Sequence, residues 1–135
     1  MQYKLKSTLE DVHKFEIELE KRLSEVKINK KSLFNIRLAF HEAVINVIQH
    51  TYNFQKDKDV LIDINISGEV FECEIRDFGN KVNPEDIRPK KKENTIQTNG
   101  LGVFLYSKLM DEVEFSNTND GNLITLKKYF SSSDF

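Results

Sequence analysis

The sequence predicts an α+β domain in which helices pack on one face of a mainly antiparallel mixed sheet. Three observations carry that prediction. Apolar residues recur at helical spacing as far as residue 50, the period changes to two from residue 59, and turn signals at Ser67-Gly68 and Asn119-Asp120-Gly121 join alternating runs in pairs. At 135 residues a single domain over residues 1–130 is expected, long enough to close a core without metal or disulfide staples. The last residues, Ser131-Ser132-Ser133-Asp134-Phe135, read as a flexible tail that frays.

Residues 2–6 alternate weakly and form a short edge strand. Ser7 or Thr8 caps the first helix, with Glu10 and Asp11 in its first turn. Val12, Phe15, Leu19, Leu23 and Val26 then line one face, while Glu16, Glu18, Glu20, Lys21 and Arg22 make a solvated one. Asn29 or Ser32 starts a second helix through Leu33, Ile36, Phe40, Ala43, Val44, Val47 and Ile48, ending near His50. In the strand that follows, Val60, Ile62, Ile64 and Ile66 alternate with Leu61, Asp63 and Asn65. Past the Ser67-Gly68 turn, Phe71, Cys73 and Ile75 oppose Val70, Glu72, Glu74 and Arg76, and Asp77-Phe78-Gly79-Asn80 makes a turn. Residues 83–99 are the one long polar connection, a length that in a compact domain is usually functional or disordered. Gly100-Leu101-Gly102 then opens a third helix with Val103, Phe104, Tyr106, Leu109 and Met110. Val113 and Phe115 begin a strand, and Leu123, Ile124, Leu126 and Tyr129 form the last one after the Asn119-Asp120-Gly121 turn.

Composition narrows the function. A net charge of −2 gives no basic field to recruit nucleic acid or a membrane surface. No apolar run approaches the roughly 18 residues of a membrane span, and Met1 to Lys6 have no signal-peptide hydrophobic region. A cytoplasmic location is expected. The single cysteine, Cys73, fits a reducing compartment and reads as a small buried hydrophobe.

The stretch from His41 to His50 sets Glu42, Asn46 and His50 four residues apart in an apolar run, so on a helix they stack as a polar stripe. Each polar group buried there needs a partner. The stripe therefore faces a polar cleft, or it is paired with other side chains. Asp77 follows a strand and precedes Gly79; its carboxylate can accept a hydrogen bond from a ligand at the sheet's end, or serve an ordinary turn. Gly100 and Gly102, just before a helix, let a phosphate approach free N–H groups and the positive end of the helix dipole, or simply permit a tight loop. Neither the P-loop nor the Rossmann glycine fingerprint is present, and one Cys with three His gives no metal set of nitrogen or sulfur ligands.

Taken in order, Glu42-x-x-x-Asn46, Asp77-x-Gly79 and Gly100-x-Gly102 after a polar loop resemble the boxes of the GHKL ATPases, whose Bergerat fold is a two-layer sandwich. Within that superfamily His41 to Asn46, Ile75 to Gly79 and Gly100 to Leu105 are most similar to anti-sigma-factor serine kinases of the RsbW and SpoIIAB type. Leu109 to Phe115 and Gly121 to Leu126 extend the likeness over nearly the whole chain, which points to a stand-alone domain.

The resemblance implies ATP and Mg²⁺ as cofactors. It makes Glu42 the general base for a serine hydroxyl and Asn46 the Mg²⁺ ligand. Asp77 becomes the acceptor for the adenine amino group, with Gly79 allowing close approach of the ring. Residues 83–99 become a lid, Lys90 to Lys92 face the phosphates from it, and Gly100, Leu101, Gly102 and Val103 form the anion site. Lys81 replaces the second glycine of the family's Asp-x-Gly-x-Gly turn; its charged tip either points toward phosphate or restricts the lid. Asn122 stands where several relatives carry threonine beside the adenine, and Thr51 replaces a common glycine. The implied partners are an anti-anti-sigma protein of the STAS type and a sigma factor, with no direct nucleic acid and no membrane, and a homodimer is suggested. The implied activity is a regulatory serine/threonine kinase that switches between those partners. The alternative is a GHKL-fold binding module that regulates a partner without phosphotransfer.

Overall fold

A computed structural model describes residues 1–84 and 105–135. The chain runs β1 (Gln2–Lys6), α1 (Leu9–Glu25), α2 (Lys30–Asn46), a π turn (Val47–Thr51), β2 (Asp59–Ile66), β3 (Val70–Asp77), β4 (Glu112–Asn117), β5 (Asn122–Tyr129) and a 3-10 turn (Ser132–Asp134). Residues 105–109 belong to a third helix before β4. The five strands form one sheet in the order β1-β2-β3-β5-β4, and all four pairings are antiparallel. The α+β class and the element order expected from the sequence are those observed.

Capping fixes where each helix begins. Thr8, not Ser7, caps α1: its hydroxyl accepts from the Asp11 N–H at 3.1 Å. Ser7 is buried instead, donating to the Gln55 carbonyl and accepting from the Lys58 N–H at 3.2 Å, so it ties β1 to the segment before β2. Asn29 caps α2 by accepting from Ser32 N–H at 2.9 Å. The two helices are cross-linked by Arg37 to Glu20 at 2.9 Å and by His41 Nδ1 to the buried Glu16 carboxylate.

The core lies between the helices and one face of the sheet. Val12, Phe15, Leu19 and Leu23 from α1 and Ile36, Phe40 and Val44 from α2 meet the inward rows Val60-Ile62-Ile64, Phe71-Cys73-Ile75 and Ile124-Leu126. Burying a side chain of that size contributes about 1.5–3 kcal/mol, so these rows fix which face of each strand points in. Cys73 is wholly buried, which pushes its thiol upward and leaves it inert as a nucleophile. The opposite face is polar, as in the 3.3 Å pair between Lys127 and Glu72.

Two local features depart from the sequence reading. Glu16, expected on the solvated face of α1, is buried because His41 of α2 supplies its partner, and the terminal residues do not fray. Asp134 is buried and its carboxylate accepts from Ser32 Oγ at 2.7 Å and from Ser131 N–H at 2.8 Å, while its carbonyl takes the Asn29 N–H at 2.7 Å. The tail thereby closes over the start of α2, because a distant serine and a free N–H supply partners that its polar composition alone does not reveal. The β4–β5 hairpin is present as expected, its turn spanning residues 118–121, and no residue there has positive φ. Gly121 is required for a different reason: an added Cβ would lie 2.0 Å from the Asp77 carbonyl oxygen and 2.8 Å from Phe78 Cα.

Candidate functional site

The site gathers where α2 ends beside the ends of β3 and β5. Glu42 and Asn46 lie one turn apart in the last turns of α2, both half-buried, so the i,i+4 stripe exists as read. His50 does not continue it. The Tyr52 N–H bonds the Val47 carbonyl at 3.0 Å, five residues back, and this wider turn carries an exposed His50 out of phase. The chain then leaves the helix through Asn53 and Phe54, both left-handed, with Phe54 N–H bonding the Ile48 carbonyl at 2.9 Å.

Asp77 closes β3 and is 1% exposed. In the register of β3 with β5 its partner is Asn122, also buried. The Asn122 amide N–H donates to Asp77 Oδ1 at 3.0 Å and to the Asn80 carbonyl at 2.9 Å. Its side-chain oxygen accepts from Val82 N–H at 2.8 Å and from the Asn117 amide at 2.9 Å. Four bonds satisfy this one amide and fix the turn after β3. Gly79 N–H adds a donor to Asp77 Oδ1 at 3.1 Å. Burial pushes the Asp77 carboxyl above its ordinary value, and the Asn122, Gly79 and Thr51 donors offset part of that rise.

Gly79 has an ordinary backbone conformation, but an added Cβ would lie 2.3 Å from Thr51 Cγ2 and 3.3 Å from the Tyr52 ring. It is the point where the turn touches the helix exit. Tyr52 secures that contact from the other side, its hydroxyl donating to the Asp59 carbonyl at 2.5 Å and accepting from Phe78 N–H at 2.7 Å.

A cleft opens above these residues, with Asn46, Thr51, Asp77, Val82, Phe115 and Asn122 in its walls. The fold thus brings Asn46 and Asp77 to one cleft from sequence positions 31 apart, with Glu42 one helical turn from Asn46. Lys81 is exposed, between two residues whose backbones Asn122 holds. Gly100, Leu101, Gly102, Val103 and Lys90 to Lys92 lie outside the described residues, as does all but the first part of the connection over 83–99. Asn117 and Tyr52 are structural members of the site that the motif reading did not single out, and Asn122, read there only as standing beside the adenine, is the residue that holds Asp77. A signal existed for Asn122. It and Asp77 fall on the inward rows of paired strands, where the alternation otherwise places only apolar side chains.

The family model for the histidine kinase-like ATPase domain matches residues 5–128. The chain belongs to that family. Among members of this ATPase family, serine-protein kinase RsbW of Oceanobacillus iheyensis is 27% identical over 111 residues, covering 77% of this chain and 70% of that protein. The RsbW of Bacillus subtilis is 28% identical over 104 residues, covering 72% and 64%. The anti-sigma F factor of Halalkalibacterium halodurans is 32% identical over 102 residues, covering 73% and 70%. A solved structure of the RsbU and RsbW domains of Rv1364c from Mycobacterium tuberculosis superposes on 95% of this chain with a TM-score of 0.69. Its identity is 17%, and the match spans 31% of that longer chain, so the likeness is one of fold. The described residues of this ATPase-family chain contain no helix long and apolar enough to cross a membrane.

Proposed function

We propose that this chain is an ATP-dependent regulatory serine/threonine kinase. In this reading it phosphorylates an anti-anti-sigma protein of the STAS type and sequesters a sigma factor when that antagonist is unavailable. The observation that carries the reading is the convergence of Asn46 and Asp77 on one cleft, with Glu42 one turn behind Asn46 on the same helix face. Similarity to RsbW and anti-sigma F factors supports the partner classes.

Each residue has a role suited to its surroundings. Asp77 is held rigidly by Asn122 and accepts a hydrogen bond from the adenine amino group, and Gly79 keeps the turn free of a side chain there. Lys81 extends from the same turn as a cation for the phosphates, and Gly100, Leu101, Gly102 and Val103 supply N–H donors to them. Glu42 takes the proton of the substrate serine as its oxygen bonds the γ-phosphorus and the bond to the departing ADP oxygen breaks.

The donor set suits Mg²⁺. The described residues contain no cluster of three or more His, Cys, Asp or Glu, so the protein builds no metal cage of its own there. A single amide oxygen from Asn46 beside substrate phosphates and waters matches the sparse protein ligation that ion accepts. When bound, it neutralises charge on the transferring phosphates.

Incubation with Mg-ATP and a STAS-type antagonist should phosphorylate a serine or threonine of the antagonist. Glu42→Ala should abolish transfer and spare ATP binding; if ATP binding disappears as well, Glu42 is not a purely catalytic base. A second reading, a binding module without transfer, is favoured by one observation: Lys81 occupies the place of the family's second turn glycine. Calorimetry showing no heat at saturating Mg-ATP would select that module.

A further inference from the structure

Tyr106 is in the third helix with its side chain wholly buried. Its ring packs against Phe115, centroids 6.2 Å apart, and Phe115 forms part of the cleft wall. The hydroxyl is inaccessible to solvent and has no hydrogen-bond partner among the described residues. An unpartnered buried hydroxyl costs about 1–3 kcal/mol, and phenylalanine would fill the same space without that cost. Packing therefore accounts for the ring and not for the oxygen.

Among the described residues, Glu42 is the charged group that acts on this hydroxyl. Burial first, and the Glu42 charge second, push the phenol far above its ordinary value, so it stays protonated and can serve as a donor. Glu42 is half-buried on the last turns of α2 and carries three rotatable side-chain bonds, so its carboxylate can swing toward or away from the third helix. One element thus presents a donor without an acceptor, and its neighbour presents a mobile acceptor.

We propose that Tyr106 is a positioning residue for Glu42: in the nucleotide-loaded site its hydroxyl donates to one carboxylate oxygen and leaves the other to receive the substrate proton. The proposal rests on the kinase reading for its catalytic consequence, though not for the contact itself. Tyr106 lies behind Phe115 of the cleft wall, and in the loaded site its hydroxyl gains the acceptor it lacks. The carboxylate then points in one direction rather than sampling several, which is the share of catalysis that orientation supplies.

The test compares wild type, Tyr106→Phe, Glu42→Ala, which removes the acceptor, and the double variant. Tyr106→Phe should be no less stable without nucleotide and should bind Mg-ATP weaker by no more than about tenfold, the share of the one lost hydrogen bond. It should transfer phosphate about tenfold more slowly, a fraction of the roughly 10²–10⁴ that a positioned base provides. In the Glu42→Ala background the same substitution should have no further effect on the residual transfer. Undiminished transfer by Tyr106→Phe would overturn the proposal, as would an equal loss in both backgrounds. If wild type transfers no phosphate, the kinase reading fails, and the contact is still decided by denaturation midpoints of the four proteins in saturating Mg-ATP. Non-additive midpoints support the Tyr106–Glu42 contact and additive ones exclude it.

Discussion

Asn122 donates to Asp77 across the β3–β5 pair, 3.0 Å from Nδ2 to Oδ1, with both side chains buried. The same amide also holds Asn80, Val82 and Asn117, so it fixes the turn and the edge strand along with the carboxylate. Asn122→Ala should destabilise the protein by about 2–4 kcal/mol, since several buried partners are orphaned together. On the proposed reading it should also weaken ATP binding, because Asp77 loses its strongest restraint. Urea denaturation and calorimetry on the purified variant check both effects.

The raised carboxyl of Asp77 has a pH consequence with a definite sign. The folded protein holds this proton more tightly than the unfolded chain does, so the group's contribution to stability falls as pH rises from the ordinary carboxylate value through the raised one. Below that window the contribution is constant. Asp77→Asn should flatten this component, gaining on wild type as pH rises across the window. Denaturation midpoints of the two proteins over pH 3 to 8, on the order of the carboxylate range, would show it; parallel curves would refute it.

Asp134 should behave in the opposite way. Burial pushes its carboxyl upward, but the Ser131 N–H, the Ser32 hydroxyl and the Lys128 charge outweigh that and leave it lowered. Its stabilisation is therefore present above the ordinary carboxylate value and is lost as pH falls through the lower folded value. Asp134→Asn should cost about 1–3 kcal/mol at neutral pH. The difference from wild type should shrink below a pH of about 4, where the unfolded carboxylate is protonated.

Two glycines should respond differently to alanine. At Gly121 the new methyl would sit 2.0 Å from a backbone carbonyl oxygen that cannot move without dislodging Asp77. Gly121→Ala should destabilise by about 3 kcal/mol or more, in the range of severe overpacking. Gly68 has open space around it and no left-handed φ, so Gly68→Ala should be neutral or stabilising by about 0.4–1 kcal/mol. Thermal melts of the pair provide an internal control.

Much of the architecture was legible because it rests on periodicity. The change of period near residue 59, the inward rows of β2 and β3 and the capping role of Asn29 are local patterns with local causes. The π turn was not legible. One hydrogen bond from Tyr52 to Val47 instead of Ile48 separates it from an α-turn, and no residue of Val47–Thr51 announces that choice. The docking of the tail depends on Ser32, 102 positions away from Asp134, a separation that no pattern in the tail itself encodes. For the candidate site, residue type and spacing pointed to Glu42, Asn46 and Asp77, of which Asn46 and Asp77 stand in the cleft walls. What holds Asp77 was hidden, because Asn122 acts through strand register and Tyr52 through a contact between two loops.

The Tyr52 hydroxyl touches the Asp59 carbonyl and the Phe78 N–H while its backbone ends the π turn. One oxygen is thus a hinge pin shared by three segments: the helix tip, the root of β2 and the loop after β3. The loop is thereby bonded to the helix tip at Tyr52, six residues past Asn46. The helix exit and the loop around Phe78 are thus tied through a single hydroxyl, beside the cleft-wall residues Thr51 and Asp77.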